Sequence, residues 1–300
     1  MIKKADKNQL LKFASIFMST LIISSASLQA DTISSDLGPA GPAFYALFIL
    51  SPPNGNTMNV GGSGTPSTIY GNAGISGSNT LILNPSSVIR GNVSVDSGNG
   101  ATFTNQGTVT GTISNPNLTS AASAANSAYS TFTSLAATQT IGSIGGNTTI
   151  NNGVSAGSVN VIDISGAISL GIGQTLTING AAGSEFIIDV AGSISLNNAD
   201  VNLTGGVTSN DVVFATPGQI HLSNNSILNG ILMNVNGAPT SIVSSIINGE
   251  LIANSSAFTF TNSSLNAPEP GTYATLGACL AIVFAWRLGR KNHMGCGPSL

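Results

Sequence analysis

The sequence predicts an all-β chain. Its body is a β-solenoid with one flanking α-helix, and an N-terminal signal peptide and a C-terminal transmembrane helix bracket that body. Three observations carry the prediction. Short alternating apolar runs recur about every twenty residues, charge is nearly absent from the body, and both cysteines lie at the far C-terminus.

Charged residues make up 6% of the 300-residue chain, against roughly 25% in ordinary soluble domains. The apolar fraction, 41%, is near normal, so this is not a polar tract unable to build a core. Gly, Ser, Asn and Thr replace the charges and give an uncharged hydroxyl and amide surface. From Asp31 to Pro270, Arg90 is the one basic residue against ten acidic ones, a net near −9. Nucleic acid is excluded as a partner, because phosphate binding needs clustered Lys and Arg. Cys279 and Cys296 lie at and beyond the C-terminal apolar segment, so the body has no disulfide and no cysteine metal site.

The first element, residues 1–30, has the three parts of a secretory signal. Lys3, Lys4, Lys7 and Lys12 precede an apolar stretch from Phe13 to Ile23, and small residues lead to Ala30, with cleavage expected before Asp31. An uncleaved anchor is the alternative. Export through the Sec machinery follows. Residues 31–64 form an N-terminal segment ahead of the solenoid, which spans 65–265.

Within the body, Ile69-Tyr70-Gly71, Ile89-Arg90-Gly91 and Val109-Thr110-Gly111 place glycine every twenty residues, and Ile227-Leu228-Asn229-Gly230 and Ile246-Ile247-Asn248-Gly249 repeat nineteen apart. Between them run short alternating segments such as Thr175-Leu176-Thr177-Ile178 and Ile194-Ser195-Leu196, closed by Gly or Asn. Such units bury their apolar side chains only by stacking on one another, which is the logic of a solenoid. A β-sandwich is the rival, and the near-constant period favours the solenoid.

One segment departs from this pattern. At about 117–138, Leu118, Ala121, Ala122, Ala125, Tyr129, Phe132 and Ala136 recur at three- and four-residue steps. That spacing predicts an amphipathic helix along the solenoid, capped by Asn117 or Thr119. A low-complexity linker is the alternative.

Glycine-rich coils, one Ala-Tyr helix and then further coils resemble the bacterial ice-binding-like β-helix family. Glu185 to Val190, Asp211 to Phe214 and the Ile-Leu-Asn-Gly-Ile-Leu coil are also similar to the choice-of-anchor A domain. The resemblance implies a solenoid with a helix packed beside it.

The tail, residues 267–292, reads Pro268-Glu269-Pro270, then an apolar span at about 271–288, then Arg287, Arg290 and Lys291. Eighteen residues are the short end of a membrane-spanning helix. Trp286 sits where an interfacial aromatic belongs, and the basic group holds that end on the cytoplasmic side. The combination resembles the PEP-CTERM sorting signal of Gram-negative bacteria. The resemblance implies recognition by an exosortase, a membrane cysteine protease-transpeptidase acting near the Pro-Glu-Pro. It also implies association with exopolysaccharide, and a place in the cell envelope or outside the cell. The chain departs from that pattern in continuing past Lys291, and residues 293–300 form a cytoplasmic extension.

The catalytic inventory is thin. His221 is the body's one histidine, and its alternation with Ile220 and Leu222 makes it an outward strand residue. No Gly-x-Ser-x-Gly elbow occurs. Asp163, Glu185, Asp189, Asp200 and Asp211 could supply a glycan-cleaving pair, but nothing in the sequence brings them together. No catalytic residue, metal ligand or cofactor is assigned. The leading expectation is a non-enzymatic envelope or matrix protein that meets exopolysaccharide or surfaces. Its alternative is an ice-binding protein presenting Thr148, Thr149, Thr175, Thr177, Thr259 and Thr261, with Thr-x-Thr also at Thr102-Phe103-Thr104 and Thr108-Val109-Thr110. A carbohydrate-active enzyme is third.

Overall fold

The computed structural model describes residues 32–41, 44–50, 55–62, 64–151 and 157–267. The signal peptide with its Ala30–Asp31 junction lies outside the described residues. So do the Pro268-Glu269-Pro270 motif, the transmembrane span, Trp286, Arg287, Arg290, Lys291 and the extension. Among the described residues no helix is long and apolar enough to cross a membrane.

Twenty-seven short strands form three parallel sheets of ten, eight and nine strands, here sheets A, B and C. The chain visits them in the order A, B, C in successive coils, as in Leu47–Ile49, Thr57–Val60 and Thr68–Tyr70, and then returns to A at Ala73–Ile75. This is the β-solenoid. It takes in Leu47–Ile49 and Thr57–Val60 as well, so the coils begin ahead of the 65–265 body.

The coils are not stacked in chain order. Sheet A runs from Gln139–Ile141 through Val159–Ile164, Glu185–Val190, Val212–Ala215 and Ile231–Gly237 to Leu251–Ser255. It then continues through Leu47–Ile49, Ala73–Ile75 and Val93–Val95 to Ile113–Ser114. The C-terminal coil therefore seats on the N-terminal coil. Leu47 is in register with Leu251, Met58 with Phe258 and Thr68 with Ser264. Both halves wind in the same axial direction, so the joint continues one solenoid.

Each coil sends alternate side chains inward. Ile69, Leu81, Ile89, Leu176, Phe186, Leu196, Leu222 and Phe260 belong to one continuous buried cluster. The corners explain the glycine repeat. A Cβ on Gly91 would overlap the Gly71 carbonyl, one on Gly111 the Gly91 carbonyl, and one on Gly249 the Gly230 carbonyl. Gly249 also holds φ at +153°, a conformation that L side chains rarely adopt. The Asn and Ser excess has a related cause. Asn198, Asn225, Ser244 and Asn262, which follow successive sheet B strands, and Ser86 all take positive φ, which Asn tolerates best after glycine.

A buried serine ladder crosses the joint. The Ser245 amide donates to Ser263 Oγ (3.2 Å), the Ser263 amide to Ser67 Oγ (3.2 Å) and the Ser67 amide to Ser87 Oγ (3.0 Å). Ser263→Ala leaves the buried Ser245 N–H without this acceptor. We expect a loss of about 1–3 kcal/mol, read as a shift in the urea unfolding midpoint with an unchanged slope.

Helix α1 (Thr32–Leu37) and helix α2 (Thr119–Ser134) cover the outer face of sheet A. Ala121, Ala125, Tyr129 and Phe132 of α2, with Ile33 and Leu37 of α1, pack on Ile187, Val213, Ile231, Met233 and Ile252. The centre of sheet A is thus buried on both faces, which is why Phe186-Ile187-Ile188 and Val212-Val213-Phe214 are continuous apolar runs. Helix α2 carries the chain back from one end of the solenoid to the other. It is shorter than the 117–138 stretch of the sequence pattern. Thr138 is already tied to sheet A, donating its amide (2.8 Å) and its hydroxyl (2.9 Å) to the Val161 carbonyl just before the strand Gln139–Ile141, and Ala136 is exposed. The described strands and both apolar clusters all come from residues 33–267, so this segment holds the solenoid with its helical cover.

Candidate functional site: two open faces

Helices cover sheet A, which leaves the outer faces of sheets B and C. On sheet B, one residue per coil points outward in a central row: Ser169, Ser195, His221, Ser241, Thr259, Asn59, Ile82 and Thr104. Thr57, Thr80 and Thr102 form a flanking row, and the Thr80 and Thr102 hydroxyls lie 2.7 Å apart. On the other flank Val243 and Thr261 are register partners. Seven strand intervals at ~4.8 Å make the face roughly 34 Å long. It carries hydroxyls, methyls and amides, with no Asp, Glu, Lys or Arg in these rows.

Sheet C is chemically different. One outward row passes from Thr175 to Asp200 to Ile227 to Ile246. The next holds an amide ladder, in which Asn266 donates to Asn248 and Asn248 to Asn229, both at 2.8 Å. That row continues into Tyr70 and Arg90. The Tyr70 ring is 44% exposed, and the Arg90 guanidinium lies 5.5 Å from its centroid. Charge and a projecting ring therefore interrupt this face.

The threonine candidates divide between the faces. Thr102, Thr104, Thr259 and Thr261 lie on sheet B, whereas Thr108, Thr149, Thr175 and Thr177 lie on sheet C. Thr148 is in register with the inward Leu176, and its hydroxyl donates to the Gly146 carbonyl, so it belongs to neither outer face. His221 is an outward, half-buried residue between Ser195 and Ser241.

The carboxylates are dispersed. The Glu185 carboxylate accepts the Ile33 amide at 3.4 Å, at the start of α1. Asp211 closes a capping box with Thr208, whose amide and hydroxyl both donate to it at 2.7 Å. Asp200 stands on sheet C. Of the five, the register pairs Asp163 with Asp189, on the outer side of sheet A. Burial and then the Asp163 charge raise the Asp189 carboxyl above its ordinary value. Burial, and then Asp189, push the Tyr129 hydroxyl up to about 12. Among the described residues no three metal-binding side chains converge.

Sequence reasoning missed Ser169, Ser195, Ser241, Asn59 and Ile82 as parts of one surface. Their signal is the single outward residue inside each apolar-x-apolar run. The row becomes visible only when the coils are placed in their spatial order.

The ice-binding-like family model matches residues 56–266. The fold is similar to that of an ice-binding protein from the Antarctic ascomycete Antarctomyces psychrotrophicus, at 20% identity and TM-score 0.54, covering 78% of this chain and 98% of that one. It is also similar to a glycosylated ice-binding protein from an Arctic yeast, at 16% identity and TM-score 0.53, covering 77% and 93%. A third similar structure is an ice-binding protein from an Antarctic bacterium of the Flavobacteriaceae, at 17% identity and TM-score 0.52. There the match covers 77% of this chain and 48% of that one. A comparison with curated protein sequences finds no match.

Proposed function

This chain belongs to the ice-binding-like family, and from that premise we propose that it binds ice through the outer face of sheet B. The observation that carries the reading is the central row spanning eight coils, free of Asp, Glu, Lys and Arg and with hydroxyls at five of its positions. Fixed hydroxyls and amides at strand spacing hold first-shell waters in ranks. Threonine methyls between them limit the directions in which those waters bond. A charged side chain would instead turn the waters toward itself, and this is why sheet C, with Asp200, Arg90 and Tyr70, is the poorer candidate. Backbone ladders on both sides hold all but the end positions still, so little ordering is needed on contact with a crystal. The activity is non-enzymatic. Freezing-point hysteresis and inhibition of ice recrystallisation at micromolar protein are the expected results, and no effect on either would remove the reading.

The route of export belongs to the same proposal. Residues 1–30 and the Pro268-Glu269-Pro270 tail support delivery to the envelope of a Gram-negative cell or beyond it, with exosortase as the processing partner. Mass spectrometry of the mature protein is expected to find an N-terminus at Asp31 and a C-terminus near Pro270. A mature chain that keeps Leu300 would exclude processing of the tail. Exopolysaccharide, the partner implied by the tail, has only that resemblance in its support.

A further inference from the structure

The two ends of the solenoid are finished differently. At one end, in the coil from Gln139 to Asn151, the inward Ile144 and Ile150 are buried and Ile141 is half-buried. At the other end, the coil from Thr102 to Ser114 buries none of its inward strand residues. Its inward residues Phe103 and Val109 are half-buried and Ile113 is 52% exposed, although their register partners Leu81, Ile89 and Val93 are buried. The three strands of this coil, Thr102–Asn105, Thr108–Val109 and Ile113–Ser114, are the edges of sheets B, C and A. Among the described residues no strand pairs with their outer edges.

Exposed strand edges invite pairing, and monomeric proteins blunt them with charge, proline or a covering segment. Residues 97–115 contain no Asp, Glu, Lys, Arg or Pro. An isologous contact sets the residues nearest its axis against their own copies, so a charge there would repel itself, and this coil has none. The joint between Leu251–Ser255 and Leu47–Ile49 already shows that coils of this composition dock edge to edge with no direct chain connection between them.

The strand lengths select an arrangement. Sheet B ends in a four-residue edge, whereas sheets C and A both end in two-residue edges. A two-fold axis normal to sheet B at Thr102–Asn105 pairs that strand antiparallel with itself. The same axis brings Thr108–Val109 of each copy against Ile113–Ser114 of the other. We propose that the protein forms a closed dimer through this open end, with a second copy of the chain covering Phe103, Val109 and Ile113. The axis leaves both sheet B faces on one side, in one continuous surface of twice the length. That last consequence rests on the ice-binding reading of sheet B; the dimer itself does not.

Light scattering measures the mass of residues 32–267 at about 10–100 μM, and of the full chain in detergent. Dimers are expected in both. Thr104→Lys places like charges across the axis, Ile113→Lys sets an unpaired charge against the apolar Val109 of the second copy, and each is expected to give monomers with unchanged circular dichroism. The body has no cysteine, so a spin label on Thr104→Cys reports the contact directly. A single short inter-label distance is expected there, and none from Thr140→Cys at the opposite end. A monomer at 100 μM, a dimer that survives both lysines, or a short distance at Thr140→Cys would overturn the proposal. So would a monomeric full chain beside a dimeric body, which would assign the open end to the chain's own tails. Because none of these readouts involves ice, a failed dimer and a failed ice reading remain distinguishable.

Discussion

Thr259→Tyr is expected to reduce freezing-point hysteresis to background while leaving the fold intact. Thr259 is exposed, at the fifth of eight positions along the central row of sheet B, between Ser241 and Asn59. A tyrosine there projects beyond its serine, threonine and asparagine neighbours. It holds the whole face off a flat crystal surface by about one water layer, and binding of an extended rigid surface is lost when close approach fails along it. The cost to the fold is small, within about 0.5 kcal/mol, because the new ring lies in solvent on a surface strand. Asn248→Tyr makes the same change on sheet C, where the Tyr70 ring already projects, and is expected to leave hysteresis unchanged. The pair of variants decides between the faces. Loss in Asn248→Tyr alone would move the site to sheet C, and full activity in both would exclude a flat-face mechanism.

Much of this architecture was legible in the sequence, because the solenoid's physical constraints are local. Glycines at 71, 91 and 111 recur because each Cβ would strike the preceding carbonyl, and that constraint leaves a mark at fixed spacing. The helix pattern from Leu118 to Phe132 was legible for a similar reason, since one stripe meets one sheet. Two features were not legible. The coil length varies, from 18 residues between Ile246 and Ser264 to 28 between Thr148 and Leu176. Corners absorb insertions without disturbing the ladders, so no fixed period spans the body. The second is the joint. Asn59 and Thr259 are neighbours on the candidate face yet lie on opposite sides of the helix in the chain. Nothing in either segment signals the other, because main-chain hydrogen bonds and inward aliphatic packing make the pairing, and any two coils would offer both. The threonine motifs were therefore grouped as one set: a Thr-x-Thr run announces an outward strand face but not which sheet carries it.

Beside this joint, Glu250 is expected to make the protein lose stability as pH rises. The residue is fully buried, immediately before the sheet A strand Leu251–Ser255. Its carbonyl accepts the Leu232 amide at 2.8 Å, but among the described residues neither carboxyl oxygen has a hydrogen-bond partner. Burial alone pushes its pKa well above the ordinary 4.5, since a lone carboxylate away from water is far costlier than a neutral acid. The unfolded chain releases this proton at the ordinary value and the folded chain holds it. Between those two pKa values the unfolded state therefore binds fewer protons. Stability is full below the ordinary carboxyl range and is lost as pH rises toward the folded value, with a slope of at most ~1.4 kcal/mol per pH unit. Asp189, also raised, acts in the same direction, so Asp189→Asn is the companion variant. Glu250→Leu replaces the acid by an apolar side chain of similar size, a change that is often neutral or stabilising for buried charge. Melting temperatures measured from pH 4 to pH 9 are expected to fall for the wild type and to flatten for Glu250→Leu, with the variant the more stable at pH 8. Parallel profiles for the two proteins would show that the Glu250 carboxyl reaches water or a partner in solution.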